Sequence, residues 1–169
     1  MTGWWAAAFV VLWLLVVVLC VVVVALARQV GTLHLRLGPR GALEIDDEGP
    51  ALGDAPPPIS ARTDDGSTVM LGGPANPRLV LFASPTCSIC AEVQPGLPAA
   101  ASAGGLVPVV LHDPDAERAY DVPGTPFVVV LDDVGVVRAK GTVNNLEQLE
   151  GLVDTANRRI EDDRQRWAS

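Results

Sequence analysis

Two of the chain's three cysteines stand three residues apart in Ser84-Pro85-Thr86-Cys87-Ser88-Ile89-Cys90-Ala91-Glu92-Val93-Gln94-Pro95. They follow the apolar run Leu79-Val80-Leu81-Phe82-Ala83, which reads as a short buried strand, so the pair falls where a strand gives way to a helix. A sulfur at a helix N-terminus faces unpaired backbone N–H groups and the positive end of the peptide dipoles. Both favour the thiolate and lower the thiol pKa below its free value of roughly 8.5. Cys87 is therefore the expected nucleophile, and Cys90, one turn on and more enclosed, the thiol that resolves a mixed disulfide. Zinc competes for this spacing but asks for about four ligands. The remaining cysteine, Cys20, lies inside an apolar segment, and His34 and His112 are single and far apart in sequence. An inert structural disulfide is the other plain use of the pair. Redox use is the reading the residues favour, with no metal and no cofactor.

A second element bears on the same chemistry. In Val122-Pro123-Gly124-Thr125-Pro126-Phe127 a proline opens the run Val128-Val129-Val130-Leu131, an awkward place for a residue with no N–H to give to a sheet. Together the pieces resemble a thioredoxin-like protein of the TlpA class, and within it the MauD proteins, membrane-anchored accessory proteins of methylamine utilisation operons. The resemblance rests on Ser84-Pro85-Thr86-Cys87-x-x-Cys90 with Pro95, on Leu26-Ala27-Arg28-Gln29-Val30-Gly31-x-Leu33-His34, and on Gly38-Pro39-x-Gly41-Ala42-Leu43. It spans almost the whole chain. It implies that Pro126 is cis and lies against the cysteine pair, and that Thr125 offers backbone hydrogen bonds to an extended client segment. Pro85, Thr86, Ser88 and Ile89 are then the neighbours of the reacting sulfurs. The implied partners are client proteins with cysteine thiols or disulfides, and a membrane redox protein of the MauE or DsbD kind. Three departures stand out. Thr86 replaces the tryptophan usual in thioredoxins, Leu81 replaces their buried carboxylate, and Val93 stands where some TlpA-class reductases place a glutamate. No obvious proton acceptor is left beside Cys90.

The elements that must position these residues follow in order. Ile59–Leu71 reads as two short strands joined by an Asp65-Gly66 turn. The strand at Leu79–Ala83 leads through the cysteines into a helix that Gly104-Gly105 stops near Ala103. Leu106–Leu111 reads as a parallel strand, Asp115–Tyr120 as a short helix, and Phe127–Leu131 with Val136–Gly141 as a hairpin. Asn145 and Gln148 suit a capping box for a last helix whose Leu146, Leu149, Val153 and Ile160 recur at helical spacing. The predicted fold is α/β and thioredoxin-like: a central mixed sheet covered by helices on both faces, with an N-terminal hairpin and one N-terminal transmembrane helix.

At 169 residues the chain holds one small domain plus an anchor. Its hydrophobic fraction of 49% is high for a soluble protein, and most of the excess lies in the uncharged stretch from Trp4 to Ala27, long enough to span a bilayer. The expected division is an anchor over 1–31, a Gly/Pro-rich juxtamembrane linker over 32–58, a thioredoxin-like domain over 59–160 and a charged, solvated tail over 161–169. Ala25-Leu26-Ala27 has the form of a signal-peptidase site, but the leading residues carry no lysine or arginine and the apolar run exceeds a usual signal core, so an uncleaved single-pass anchor is expected. Cys20 within it reads as a small apolar filler. Arg28, Arg36 and Arg40 follow the helix and would hold the domain in the cytoplasm. The resemblance implies the opposite, an extracytoplasmic domain, and that is the expectation adopted. A net charge of −8 with no basic cluster argues against nucleic acid.

The resulting expectation is a membrane-anchored thiol–disulfide oxidoreductase working through Cys87 and Cys90. The alternatives are a non-catalytic, membrane-bound assembly or client-binding factor, and a peroxiredoxin-like peroxidase. The last would need proline at position 80, where Val80 stands, although Ser84 suits its hydroxyl position.

Overall fold

The computed structural model describes residues 3–36 and 48–168. The chain forms two units, Met1–Pro39 and Arg40–Ser169. The first is the helix α1, Gly3–Arg36. Its segment Gly3–Val23 is long and apolar enough to cross a membrane, as an anchor or a signal sequence, since 21 residues rise about 31 Å. Residues 32–36, expected to begin the linker, continue this helix. Arg40 and the Gly38–Leu43 stretch of the resemblance lie outside the described residues.

The second unit is built on four strands, β3 (Arg78–Phe82), β4 (Val107–Leu111), β5 (Phe127–Leu131) and β6 (Val137–Thr142), in the order β4-β3-β5-β6. β3 runs parallel to β4 and antiparallel to β5, which pairs antiparallel with β6, so the sheet is mixed. A hairpin of β1 (Ile59–Arg62) and β2 (Thr68–Leu71) precedes it and is tied to β4 by the Asp64 N–H donating to the Val110 carbonyl at 3.1 Å. The helices are α2 (Ser88–Val93), α3 (Leu97–Ala103), α4 (Pro114–Ala119) and α5 (Leu146–Ala168). A 3-10 turn, Gln94–Gly96, breaks the run from α2 to α3 at Pro95, which has no N–H to continue an α-helix.

Alternation along the strands sorts the core into two layers. Leu79, Leu81, Val128 and Val130 face α2, α3 and α5, where Cys90, Val93, Leu97, Leu149 and Val153 complete one apolar cluster. Val80, Phe82, Val129 and Leu131 face the other way, onto Ala116 and Tyr120 at α4 and onto Ala61 and Leu71 of the hairpin. Burying each such side chain contributes about 1.5–3 kcal/mol, so the uncharged strands hold helices on both sides. Tyr120 packs on the Phe82 ring at 5.7 Å; burial pushes its phenol pKa up to about 12, which keeps the hydroxyl neutral among these apolar neighbours.

Two stretches are more integrated than the sequence suggests. Residues 48–58, expected as linker, pack on the domain. The Gly49 N–H donates to the Asp121 carbonyl at 3.1 Å, the Gly53 N–H donates to the Val137 carbonyl at 2.9 Å, and the Val137 N–H donates to the Asp54 carbonyl at 2.9 Å. Gly49 has a φ of +71°, and a Cβ there would lie 2.6 Å from Phe127 Cζ, so only glycine lets this strap reach the ring behind Pro126. The run 161–169, expected as a charged, solvated tail, is exposed over most of 161–167 but is helical, carrying α5 on to Ala168. Its apolar spacing stops at Ile160, which is why the sequence hid the extension; an ion pair between Asp163 and Arg138 of β6 holds the added turns to the sheet. At the start of α5 Asn145 Oδ1 accepts from the Gln148 N–H at 2.9 Å, while the Gln148 side-chain oxygen accepts from the Asn144 N–H at 2.7 Å.

Candidate active site

Strand register brings the two chemical elements together. Phe82, the last residue of β3, pairs with Phe127, the first of β5, so the chain leaving one strand and the chain entering the other meet at one end of the sheet, between its two central strands. After Phe82 come Ala83 and the Ser84-Pro85-Thr86 loop; before Phe127 comes the Thr125–Pro126 peptide, which is cis. Residues 38 positions apart are thereby placed in contact, with the Thr125 carbonyl oxygen 3.7 Å from Cys87 Sγ.

Cys87 and Cys90 are joined as a disulfide, with Cα atoms 5.3 Å apart. Cys87 is the N-cap of α2. It keeps extended backbone angles, donates its own N–H to the Ser84 carbonyl at 3.0 Å, and accepts the Cys90 N–H on its sulfur at 3.1 Å. That bond favours negative charge on Sγ whenever the disulfide opens. The two sulfurs differ in access. Cys87 is half-buried, whereas Cys90 is 2% exposed within the apolar cluster beneath α2. A client therefore meets Cys87, and Cys90 meets only Cys87.

The flanking residues form a rim. Pro85, Thr86, Ser88 and Ile89 are exposed, Thr125 is half-buried, and Pro126 is buried. Thr86, where thioredoxins carry tryptophan, lies 3.0 Å from Ser84 Oγ through its hydroxyl and adds no aromatic cover. Leu81 and Val93 are buried and apolar, so neither position supplies a carboxylate to the Cys90 side of the disulfide. Among the described residues no group of three or more His, Cys, Asp and Glu side chains is arranged to hold a metal.

Sequence reasoning missed a groove beside this end of the sheet, lined by Ser84, Pro85, His112, Glu117, Gly124 and Thr125. Nothing in the spacing of His112 or Glu117 says that they share a groove with Ser84, Pro85 and Thr125. Only the β3–β4 pairing, which sets Phe82 beside Leu111, brings them there.

No protein-family model matches the chain. Its relatives are informative: it is 35% identical to the methylamine utilization protein MauD of Methylorubrum extorquens, over 88% of this chain and 84% of that protein. MauD of Paracoccus denitrificans is 33% identical over 91% of this chain and 90% of its own length. The chain belongs to the MauD family. Solved structures agree with the fold of this MauD-family protein. A DsbE-type thiol:disulfide interchange protein of Chlorobium tepidum superposes with a TM-score of 0.52 at 17% identity, covering 66% of this chain and 99% of its own. The exposed lipoprotein thioredoxin of Streptococcus pneumoniae gives 0.50 at 17% identity, over 60% and 99%. The fold of this MauD-family chain is thus thioredoxin-like, as its element order leads one to expect.

Proposed function

We propose that this MauD-family protein exchanges disulfides with client proteins through Cys87 and Cys90, held at the membrane by α1. The observation that supports this most directly is the asymmetry of the sulfur pair: one atom reachable and capped by a backbone N–H, the other enclosed. In the oxidising direction a client thiolate attacks Cys87 Sγ, and the Cys87–Cys90 bond breaks with Cys90 leaving as thiolate. A second client thiolate then attacks the client sulfur of the mixed disulfide and releases Cys87. The client loses two electrons and two protons, and the pair gains them as two thiols. Reduction of a client disulfide is the same path reversed. Thr125, beside Cys87, serves the client's extended backbone, and a membrane protein of the MauE or DsbD kind resets the pair.

Equilibration of the full-length protein in glutathione and dithiothreitol buffers, quenched by alkylation, tests this reading. The pair is expected to open and close reversibly, with the trapped glutathione on Cys87. A bond that stays closed in every buffer is a structural disulfide and sinks the reading.

The domain is placed outside the cytoplasm, because persistent disulfide chemistry needs an oxidising compartment. Arg28, Arg36 and Arg40 oppose this placement. After mild reduction of intact cells, a membrane-impermeant maleimide is expected to label Cys87; protection until the cells are broken open reverses the orientation.

A further inference from the structure

Exchange at Cys87 requires a client segment to lie across this end of the sheet, and the nearby groove has a charge bias. It encloses about 320 Å³ between the Ser84–Thr86 loop, the residues before Pro126, and α4. The charged groups of α4 are nearly all committed. Asp113 caps the helix through the Asp115 and Ala116 N–H groups at 2.9 and 3.3 Å and accepts the Arg62 N–H at 2.8 Å; the last bond is the main reason its pKa is lowered. Asp115 and Arg118 pair with each other. Arg62 lines an adjoining hollow, which shares His112 and Pro114 with the groove and sets Arg62 beside Asp113 and Asp115. The Glu117 carboxylate and the His112 ring line the groove itself without a protein hydrogen-bond or ion-pair partner among the described residues, and the other walls carry no charge.

We propose that this groove is a side-chain subsite preferring lysine or arginine beside the client's reacting cysteine, with Glu117 setting the preference. The inference rests on the thiol–disulfide reading of Cys87. Geometry connects the two, because Thr125 both lines the groove and puts its carbonyl 3.7 Å from the reacting sulfur. A client residue next to a cysteine bonded to Cys87 therefore comes over the groove, where a single carboxylate awaits a cation. The bland role for Glu117 is to complement the dipole of α4 from its first turn. A carboxylate kept for that reason alone leaves client choice unchanged.

The test uses two dithiol peptides that differ only in arginine or glutamate beside one cysteine. Each is mixed with the oxidised full-length protein in detergent micelles, and the second-order rate of mixed-disulfide formation is divided by the same peptide's rate with uncharged dithiodipyridine. That ratio removes the effect of peptide charge on its own thiol. The peptide dithiol is oxidised to a disulfide as Cys87–Cys90 is reduced, so a single turnover needs no further oxidant. The native protein is expected to favour the arginine peptide by about five- to tenfold, the size of one partly exposed ion pair with arginine set against one like-charge repulsion with glutamate. Glu117→Gln narrows the difference to within about twofold, and Glu117→Lys reverses it. Equal rates in the native protein, or a preference that survives Glu117→Gln, overturn the subsite while leaving exchange intact. Failure of both peptides to react overturns the exchange reading and the subsite with it.

Discussion

Full-length protein carrying Cys90→Ser is expected to be recovered from cells covalently joined to its clients, whereas protein carrying Cys87→Ser is recovered alone. The asymmetry of the site dictates this outcome. Cys87 Sγ is the sulfur a client can reach, and Cys90, 2% exposed, meets only its partner. With serine at position 90 nothing inside the protein can resolve the mixed disulfide, so the intermediate accumulates. With serine at 87 the remaining thiol is enclosed and never engages a client. Either change lowers turnover by on the order of a thousandfold or more, because the two sulfurs act as one unit. Non-reducing electrophoresis followed by mass spectrometry of the dithiothreitol-released chains reads the result. Adducts on Cys87→Ser but not on Cys90→Ser would exchange the roles of the two sulfurs. Adducts on neither, with activity in the cell unchanged, would favour a client-binding factor that keeps the fold without its chemistry. The missing carboxylates at Leu81 and Val93 make that second reading worth separating from the first.

Much of this architecture was legible because short uncharged strands and strong breakers mark their own limits. Leu79–Ala83 and Phe127–Leu131 sit within a residue of the observed β3 and β5, and Gly104 ends α3 as expected. The meeting of Cys87 with Thr125 was not legible from spacing. It depends on the register that sets Phe82 against Phe127, and only the family resemblance anticipated it. The strap at 48–58 escaped because glycine and proline signal a connector equally well whether it hangs free or lies on a ring such as Phe127. Glu117 escaped for a different reason. A charged residue on a short helix is ordinarily solvated, and its relation to the sulfur pair runs through β4, which no local pattern reports.

The end of α5 escaped because its hold on the domain is ionic, and that hold yields the second large effect. Asp132→Ala is expected to destabilise the domain by about 3 kcal/mol, with a fall in Tm of about 10 °C. The Asp132 side chain is 4% exposed. Its Oδ1 accepts the Val134 and Val136 N–H groups at 3.0 and 2.8 Å, which shapes the turn between β5 and β6, and its Oδ2 binds Arg138 Nε at 2.7 Å. Burial alone would push the Arg138 pKa down; the hydrogen bonds to Asp132 and Asp163 outweigh it and raise it. Truncation of Asp132 strips two backbone donors and leaves a largely buried guanidinium with one of its two carboxylates, and leaving such groups short of partners is what costs most. Asp163→Ala is the milder control at about 1 kcal/mol, since Asp163 is 27% exposed and Arg138 keeps its more buried partner. Thermal unfolding of the full-length variants in micelles decides between them, and equal losses would show that the turn bonds count for little. Asp132 follows Leu131, at the far end of β5 from Phe127 and Pro126. Below its unfolding temperature the Asp132→Ala protein should therefore exchange disulfides within about twofold of the native rate, because the ion network and the sulfur pair share no contact.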